Sequence, residues 1–367
     1  MKLTCQKEIL LEGLNLVSKA VSNKSSMPIL ECVLLEADQN GFRLTANDME
    51  MGIRTSYLEA NVLEPGKVCI TAKFLMDIVR HLPADFVSIQ TDSNHVTQIK
   101  SAKSEFNVLA KDAYEYPELP DVEKHNRYEI FSVDFKNMIR QTIFSVSTDE
   151  SKATFTGELL DIQDNNLNIV AVDGFRVSNR SAKLFYSSGD SKVIAPYKTL
   201  NEISKILPGG PNDKVNFYFT DKHALFETEK CIVVSRLIEG EFMNYEQVFT
   251  DDYNIKVTLN RVNFIDCLER SSLIDIKKNP IKIKIESDLL IVSSNSEIGA
   301  TYEEVSADVE GGALEIAFNP RYLIDALKVI DEEDVCIYFT TALSACTIIG
   351  NGATGHRYLV LPLRLRN

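Results

Sequence analysis

No apolar run in the 367-residue chain approaches the roughly 18 residues that a membrane-spanning helix needs, so no transmembrane segment is expected. Residues 1–16 carry Lys2 and Lys7, but Glu8 and Glu12 interrupt them before any apolar stretch long enough for a secretory leader, and a cytoplasmic location is expected. No C-x-x-C spacing occurs. The seven cysteines, Cys5, Cys32, Cys69, Cys231, Cys267, Cys336 and Cys346, are odd in number and have mostly apolar neighbours, which predicts buried reduced thiols. Five scattered histidines offer no pair at metal-ligand spacing, and neither a metal nor a cofactor is expected.

Nucleotide chemistry is missing as well. The chain has no G-x-x-x-x-G-K-[ST] sequence to cradle phosphates. Residues 350–355, GNGATG, match a dinucleotide fingerprint in letters only, because a strand-like tail follows where the motif requires a helix and, about 20 residues on, an acid. Asp173-Gly174-Phe175-Arg176 has the look of a catalytic loop, yet no base or nucleophile recurs beside it, so a structural turn or binding surface is favoured and no catalytic residue is assigned. The net charge of −14 opposes nucleic-acid binding unless basic residues are segregated on one surface.

What is present is repetition. Residues 72–83, 196–208 and 319–331 are one short helix written three times. Aligning Leu75, Leu200 and Leu323 brings Leu82, Leu207 and Ile330 into line, together with Asp77, Glu202 and Asp325, and with Arg80, Lys205 and Lys328. The offsets, 125 and 123 residues, are domain-sized. Each copy is preceded by an opening strand and amphipathic helix: Leu3-Thr4-Cys5 before 7–22, Phe131-Ser132-Val133 before 134–147, and Val257-Thr258-Leu259 before 261–274. Asp134 and Asn260 are good N-caps for the second and third copies, and Gln6 a poor one for the first.

Strand-rich stretches with turn signals follow every helix. Residues 29–36 and 42–46 flank Asp38-Gln39-Asn40-Gly41, with counterparts around 164–166 and 287–288; Asp48, Asp173 and Asn295 close the second strand in the three copies. The expected fold is α+β, three tandem domains of two helices against antiparallel sheet. Pro117 and Pro120, and the polar stretch 244–254, place the boundaries at 1–123, 124–250 and 251–367.

The six expected helices, 7–22, 73–81, 134–147, 198–206, 261–274 and 321–330, carry twelve basic residues against eight acidic ones, an excess of four that leaves the rest of the chain at −18. Any one helix is an ordinary solvated face with acid and base one turn apart. Six helices sharing the bias in an acidic protein predict a basic helical face and an acidic sheet face. Such a field would hold duplex DNA by its phosphates without reading its bases.

The repeats, Met27-Pro28-Ile29-Leu30, Val172-Asp173-Gly174-Phe175-Arg176, and the terminal Tyr358-Leu359-Val360-Leu361-Pro362-Leu363-Arg364-Leu365 together resemble the bacterial DNA polymerase III β subunit family, the replicative sliding clamps. The resemblance runs over the whole chain. It implies three clamp domains per subunit and a head-to-tail homodimer closed into a ring, with helices around the hole and sheets outside. Encirclement makes tight DNA binding unnecessary, which reconciles the ring's acidity with its role. By family position Lys24, Arg80, Lys198, Lys205 and Lys328 are the expected DNA contacts. Phe106 and Val108 on a domain 1 edge strand are expected to face Leu273 and Ile274 of domain 3, with Lys100 or Lys103 pairing with Glu303 or Glu304.

The resemblance also implies a docking pocket for short linear peptides, walled by Phe155, Val172, Gly174, Phe175, Arg176, Val177, Phe242, Met243, Val248, Leu359, Val360, Leu361, Pro362, Leu363 and Arg364. Its implied users are the replicative polymerase catalytic subunit, the clamp loader, lesion-bypass polymerases and mismatch-repair proteins. Phe175 stands where His is common, Met243 where Pro is common, Gln247 where a base is frequent, and Leu361 and Leu363 where Met often occurs, so peptide preference is expected to differ. The function implied is that of a non-enzymatic sliding clamp; the alternative is a repeat-built interaction scaffold without a DNA function.

Overall fold

A computed structural model describes residues 1–22, 26–274, 280–353 and 355–364. Six helices occur among them: α1 (Lys7–Val17), α2 (Ala72–His81), α3 (Ser132–Thr142), α4 (Tyr197–Ile206), α5 (Arg261–Ser271) and α6 (Pro320–Val329). The thrice-written helix is α2, α4 and α6, each of ten residues. Leu75, Leu200 and Leu323 are buried in each, and Arg80, Lys205 and Lys328 lie on the exposed face. Full burial of such a leucine contributes roughly 1.5–3 kcal/mol. Leu82, Leu207 and Ile330 come immediately after the last helical residue and are buried too, so each helix ends by turning an apolar side chain into the core. Pro83 and Pro208 bar continuation of the first two helices. Asn319 starts the third by accepting the Arg321 N–H at 3.1 Å, with Pro320 in the first turn.

By contacts the chain divides into two compact units. One comprises residues 1–132, 185–188 and 205–237; the other comprises 133–184, 189–204 and 238–367. In the first unit, a nine-stranded antiparallel sheet runs in the order Tyr186–Ser187, Arg127–Phe131, Lys214–Phe219, His223–Glu227, Cys231–Arg236, Met51–Thr55, Gly41–Asn47, Cys32–Asp38, Gly66–Thr71. A five-stranded sheet runs Ala60–Glu64, Lys2–Gln6, Phe86–Thr91, Val96–Ser101, Ser104–Leu109.

The second unit repeats the plan. Its nine-stranded sheet runs Ser191–Pro196, Gly157–Gln163, Asn166–Val172, Arg176–Lys183, His356–Val360, Cys346–Gly350, Asp334–Phe339, Ile255–Asn260, Asp308–Glu310. A four-stranded sheet runs Gly299–Ser306, Leu289–Ser296, Ile281–Ile285, Leu314–Phe318. Each nine-stranded sheet is thus composed of strands from two neighbouring sequence repeats.

Several local expectations need correction. Residues 29–36 are not all strand: Pro28–Glu31 form a 3-10 turn before Cys32–Asp38 extends, as the fixed φ of Pro28 at a first-turn position favours. Asp134 lies inside the first turn of α3 instead of capping it, because that helix begins at Ser132. Asn260 does cap α5, accepting the Asn263 N–H at 3.1 Å, and Gln6 makes no side-chain cap for α1. Asn295 does not close its strand; it pairs within the hairpin Leu289–Ser296/Gly299–Ser306, whose turn comes two residues later. All seven cysteines are buried free thiols, and burial pushes the thiols of Cys5, Cys69 and Cys346 up to about 12.

Glu158, on the strand Gly157–Gln163, is fully buried, and neither carboxyl oxygen has a hydrogen-bond partner. The nearby Thr142 hydroxyl donates instead to the Met138 carbonyl at 2.8 Å. Desolvation therefore raises the Glu158 pKa to about 8. The unfolded chain ionises this group near the ordinary value of 4.5. Its contribution to stability is consequently fullest below that value and falls as pH rises toward 8. Calorimetry should find Glu158→Gln raising Tm relative to the parent by several degrees at about pH 8.5 and hardly at all near pH 4.5. A pH-independent difference would show that Glu158 is not held protonated.

Candidate functional site

The turn after the strand Asn166–Val172 is fixed by its own side chains. Asp173 accepts the N–H groups of Phe175 and Arg176 at 2.9 and 3.1 Å, and Gly174 supplies the left-handed conformation at φ +91°. Asp48 does the same in the first repeat, accepting from Glu50 and Met51 at 3.0 and 2.8 Å, with Met49 at φ 74°. The turn is therefore a property of the repeat. In the second repeat it gains an arginine at its end.

Arg176 is 8% exposed and spends its guanidinium on three partners. Nε donates to Asp173 at 2.9 Å, Nη1 to Asp325 of α6 at 2.7 Å, and Nη2 to the Phe144 carbonyl at 2.7 Å. The same group lies 4.7 Å from the Tyr322 ring centroid and 5.2 Å from that of Phe144. Phe175 stacks on Tyr322 at 5.9 Å and remains about half exposed. Arg176 therefore fastens the turn and presents the Phe175 ring to solvent.

Beside the turn is an apolar cluster. Val172, Val177, Tyr245 and Leu359 are buried in it, with Phe155, Phe242, Met243 and Val248 packed partly buried around them. Phe155 and Phe242 meet edge to face at 5.7 Å. Seven of the fifteen residues expected in one pocket are gathered here, although they come from four separate stretches of sequence. The strand His356–Val360 reaches the cluster by pairing with Arg176–Lys183, placing Leu359 opposite Val177.

Alternation then divides the C-terminal residues. Val360 points to the opposite side of its strand and is buried in the core with Phe318, Leu323 and Ile337, so it is not a pocket wall. Leu361 and Arg364 are exposed; Pro362 and Leu363 are half-buried. The N–H of Leu361 donates to the Phe175 carbonyl at 2.9 Å, and that of Leu363 to the Ala317 carbonyl at 2.8 Å. The segment thus runs alongside the turn.

Among the described residues each of the two smaller sheets has two outer strands, Ala60–Glu64 and Ser104–Leu109 in one, Gly299–Ser306 and Leu314–Phe318 in the other, and Ser104–Leu109 and Gly299–Ser306 have no ladder partner on their outer side. On the first, Phe106 and Leu109 are exposed, whereas Val108 is buried at 7% exposure and is a core residue. By the second, Leu273 and Tyr302 are exposed and Ile274 is half-buried. Lys100 pairs with Glu105 at 3.1 Å, Glu303 with Arg270 at 2.7 Å, and Glu304 accepts from the Tyr302 hydroxyl at 2.6 Å, so three of the four expected cross-partners already have local ones.

The basic helix residues divide into two groups. Lys7 Nζ donates to the carbonyls of Arg80 and Leu82 at 3.1 and 2.6 Å, and Arg261 to those of Leu327 and Glu332 at 3.4 and 2.8 Å. Each closes the C-terminal end of the other helix in its repeat, where orphan carbonyls favour a cation. Arg140 is held by Asp331 at 2.8 Å. Arg80, Lys198, Lys205 and Lys328 are all exposed, and Lys328 pairs with Glu269 at 2.7 Å. Lys24 lies outside the described residues. Among the described residues no cluster of three metal-ligating side chains occurs, and no helix is long and apolar enough to cross a membrane.

Residues 1–120, 129–244 and 246–364 match, in that order, the N-terminal, central and C-terminal domain models of the DNA polymerase III beta subunit. The chain belongs to the DNA polymerase III beta subunit family. Over 375 residues, 99% of each chain, it is 33% identical to the beta sliding clamp of Staphylococcus epidermidis. The beta sliding clamp of Bacillus subtilis is also 33% identical, over 99% of this chain and all of that one. The crystal structure of the DNA polymerase sliding clamp from Bacillus subtilis superposes over the full length of both chains with a TM-score of 0.96 at 32% identity. The function is that of a DNA sliding clamp.

In this clamp-family chain, the sequence left unassigned the residues that hold Arg176 in place, Phe144, Tyr322 and Asp325. Tyr322 and Asp325 are on the repeated helix, where Asp325 aligns with Asp77 and Glu202 and is reached by an arginine from another repeat. Removing Arg176 strands two partly buried carboxylates and a carbonyl. Arg176→Ala should cost about 2–4 kcal/mol in urea unfolding, with Arg176→Lys intermediate because an ammonium cannot fork between Asp173 and Asp325. Unchanged midpoints in both variants would contradict this role.

Proposed function

We propose that two copies of this chain join head to tail, the edge Ser104–Leu109 of each against the edge Gly299–Ser306 of the other, and close a ring around duplex DNA. The observation that carries the reading is the strand count. Two sheets in the chain have nine strands, while the other two stop at five and four on unpaired edges. Pairing those edges between copies completes a sheet of the same size as the others. A heterologous contact of this kind needs only a rotation that closes. Phe106 and Leu109 on one side, Leu273 and Tyr302 on the other, supply exposed apolar surface for it; Ile274 contributes its half-exposed edge.

In this reading each subunit comprises three clamp domains, 1–123, 124–250 and 251–367, and works in the cytoplasm without catalysis of its own. Arg80, Lys198 and Lys205, with Lys24 and the partly compensated Lys328, face the DNA phosphates as a sequence-independent field. The cluster around Phe155, Phe242, Val248 and Leu359, with the Phe175 turn and Leu361, Pro362, Leu363 and Arg364, takes short apolar peptides from the replicative polymerase, the clamp loader, lesion-bypass polymerases and mismatch-repair proteins. What supports this is a partly buried apolar cluster beside a turn fixed by Asp173 and Arg176, on a chain whose relatives are named sliding clamps.

Two experiments separate the parts. Phe106→Glu with Leu273→Glu should give a folded species of one-chain mass in light scattering; an unchanged dimer would remove these edges from the interface. Deleting residues 361–367 leaves the strand His356–Val360 whole. It should abolish binding of a fluorescein-labelled apolar peptide in a polarisation assay while the dimer persists, and retained affinity would refute the pocket assignment.

A further inference from the structure

The first unit contains a cleft of about 900 Å³ lined by none of the residues assigned above to the peptide cluster, the sheet edges or the DNA-facing positions. Its floor is the face of the nine-stranded sheet that carries Glu36, Arg43, Thr45, Arg54 and Lys67, and its roof is the segment 112–124. Register places these floor residues in two adjacent rows. Lys67, Glu36 and Arg43 are cross-strand neighbours in one; Leu34, Thr45, Arg54 and Ile232 in the next. The roof is held close because Gly52, two residues before Arg54 on the same strand, has no side chain: a Cβ there would come within 2.1 Å of Leu119.

The polar groups on this floor do not balance. Glu36 is buried and takes Arg43 at 3.1 Å and Lys67 at 2.7 Å, so one carboxylate faces two cations, and Arg54 adds a third. Arg54 makes no salt bridge among the described residues, and its Nε is buried without a hydrogen-bond partner. Opposite it, Thr45 is 1% exposed and its hydroxyl is also buried and unpartnered. Buried donors left unpaired are costly, and two on residues that line one cleft beside two further cations mark where an oxyanion would be favoured. Leu225, Ile232 and Val234 beneath Leu119 and Val122 make an apolar part of the cleft, and Asp112, Glu118, Asp121 and Lys124 also line it.

We propose that this cleft binds a small amphiphilic oxyanion, a phosphate or carboxylate head on an apolar ring or chain, with the head on Arg54 and Thr45 and the body against Ile232 and Val234. Burial first, and then the neighbouring Arg43 charge, disfavour the Arg54 cation, while Glu36 and Glu118 offset them only in part; a bound anion adds to that offset. Glu118, whose charge acts on Arg54, and Asp121 are exposed on the roof segment and disfavour anions with a second charged end. The specificity is thus for one charged head.

The test uses the full-length protein with phenyl phosphate, benzoate and phenol as probes, followed by ligand-observed NMR and thermal shift. Phenyl phosphate or benzoate should bind, and phenol, lacking the head, should bind about tenfold or more weakly. Arg54→Gln should weaken the anion by about tenfold or more, Thr45→Val by a smaller factor, and Arg54→Lys, which keeps charge without the fork, should fall between. Whichever of phenyl phosphate and benzoate binds more tightly assigns the head. Circular dichroism checks that each variant is folded, and Thr45→Val decides the matter if both arginine variants unfold. Equal affinities across folded variants, or phenol matching the anions, would overturn the proposal.

Discussion

An antiparallel sheet must end somewhere, and the groups on its last strand must find partners or water. That constraint organises this chain. Its repeats do not keep their strands to themselves; each nine-stranded sheet draws on two repeats, so the internal repeat boundaries leave no free edge there. Among the described residues only the first and last repeats have a sheet left unshared, and Ser104–Leu109 and Gly299–Ser306 are each one of its two outer strands. A long exposed edge is a liability in a protein meant to stay single. With apolar Phe106 and Leu109 on one and Tyr302 beside the other, both edges suit pairing better than avoidance.

The same economy governs charge. An excess of basic residues on the helices suggests a phosphate-facing field, but the structure assigns part of it to internal work. Lys7 and Arg261 close helix ends, Arg140 and Arg270 are held by Asp331 and Glu303, and Lys328 is matched by Glu269. The positive field left for a polyanion is smaller than a residue count implies. A weak field suits a protein that must slide, since strong phosphate contacts would pin it.

Much of this was legible in the sequence because it was repeated. Leu75, Leu200 and Leu323 sit in identical burial, and the equivalence of Asp48 and Asp173 correctly marked one turn used twice. Where repetition failed, so did the reading: Asn295 aligns with those aspartates but remains inside a longer strand. Val360 shows a different limit. Family position selects a strand, but the period of two decides which face a side chain joins, and a single step moves it from the Leu359 cluster to the core on the other side. Val108 is buried although Phe106, on the same face of its strand, is exposed, and strand parity does not foretell that. The partners of Arg176 come from three stretches brought together only by the fold. Likewise the unpaired donors of Arg54 and Thr45 have no signature in one dimension, because nothing in a sequence records which polar atom lacks a partner.

The central claim is that the five- and four-stranded edges close on each other in a two-copy ring. Negative-stain images of the purified protein test it most directly. Closed rings of two 41.2 kDa chains, with a hole wide enough for duplex DNA, are the predicted result. Particles without a hole, or open arcs at concentrations where the mass is that of two chains, would contradict it.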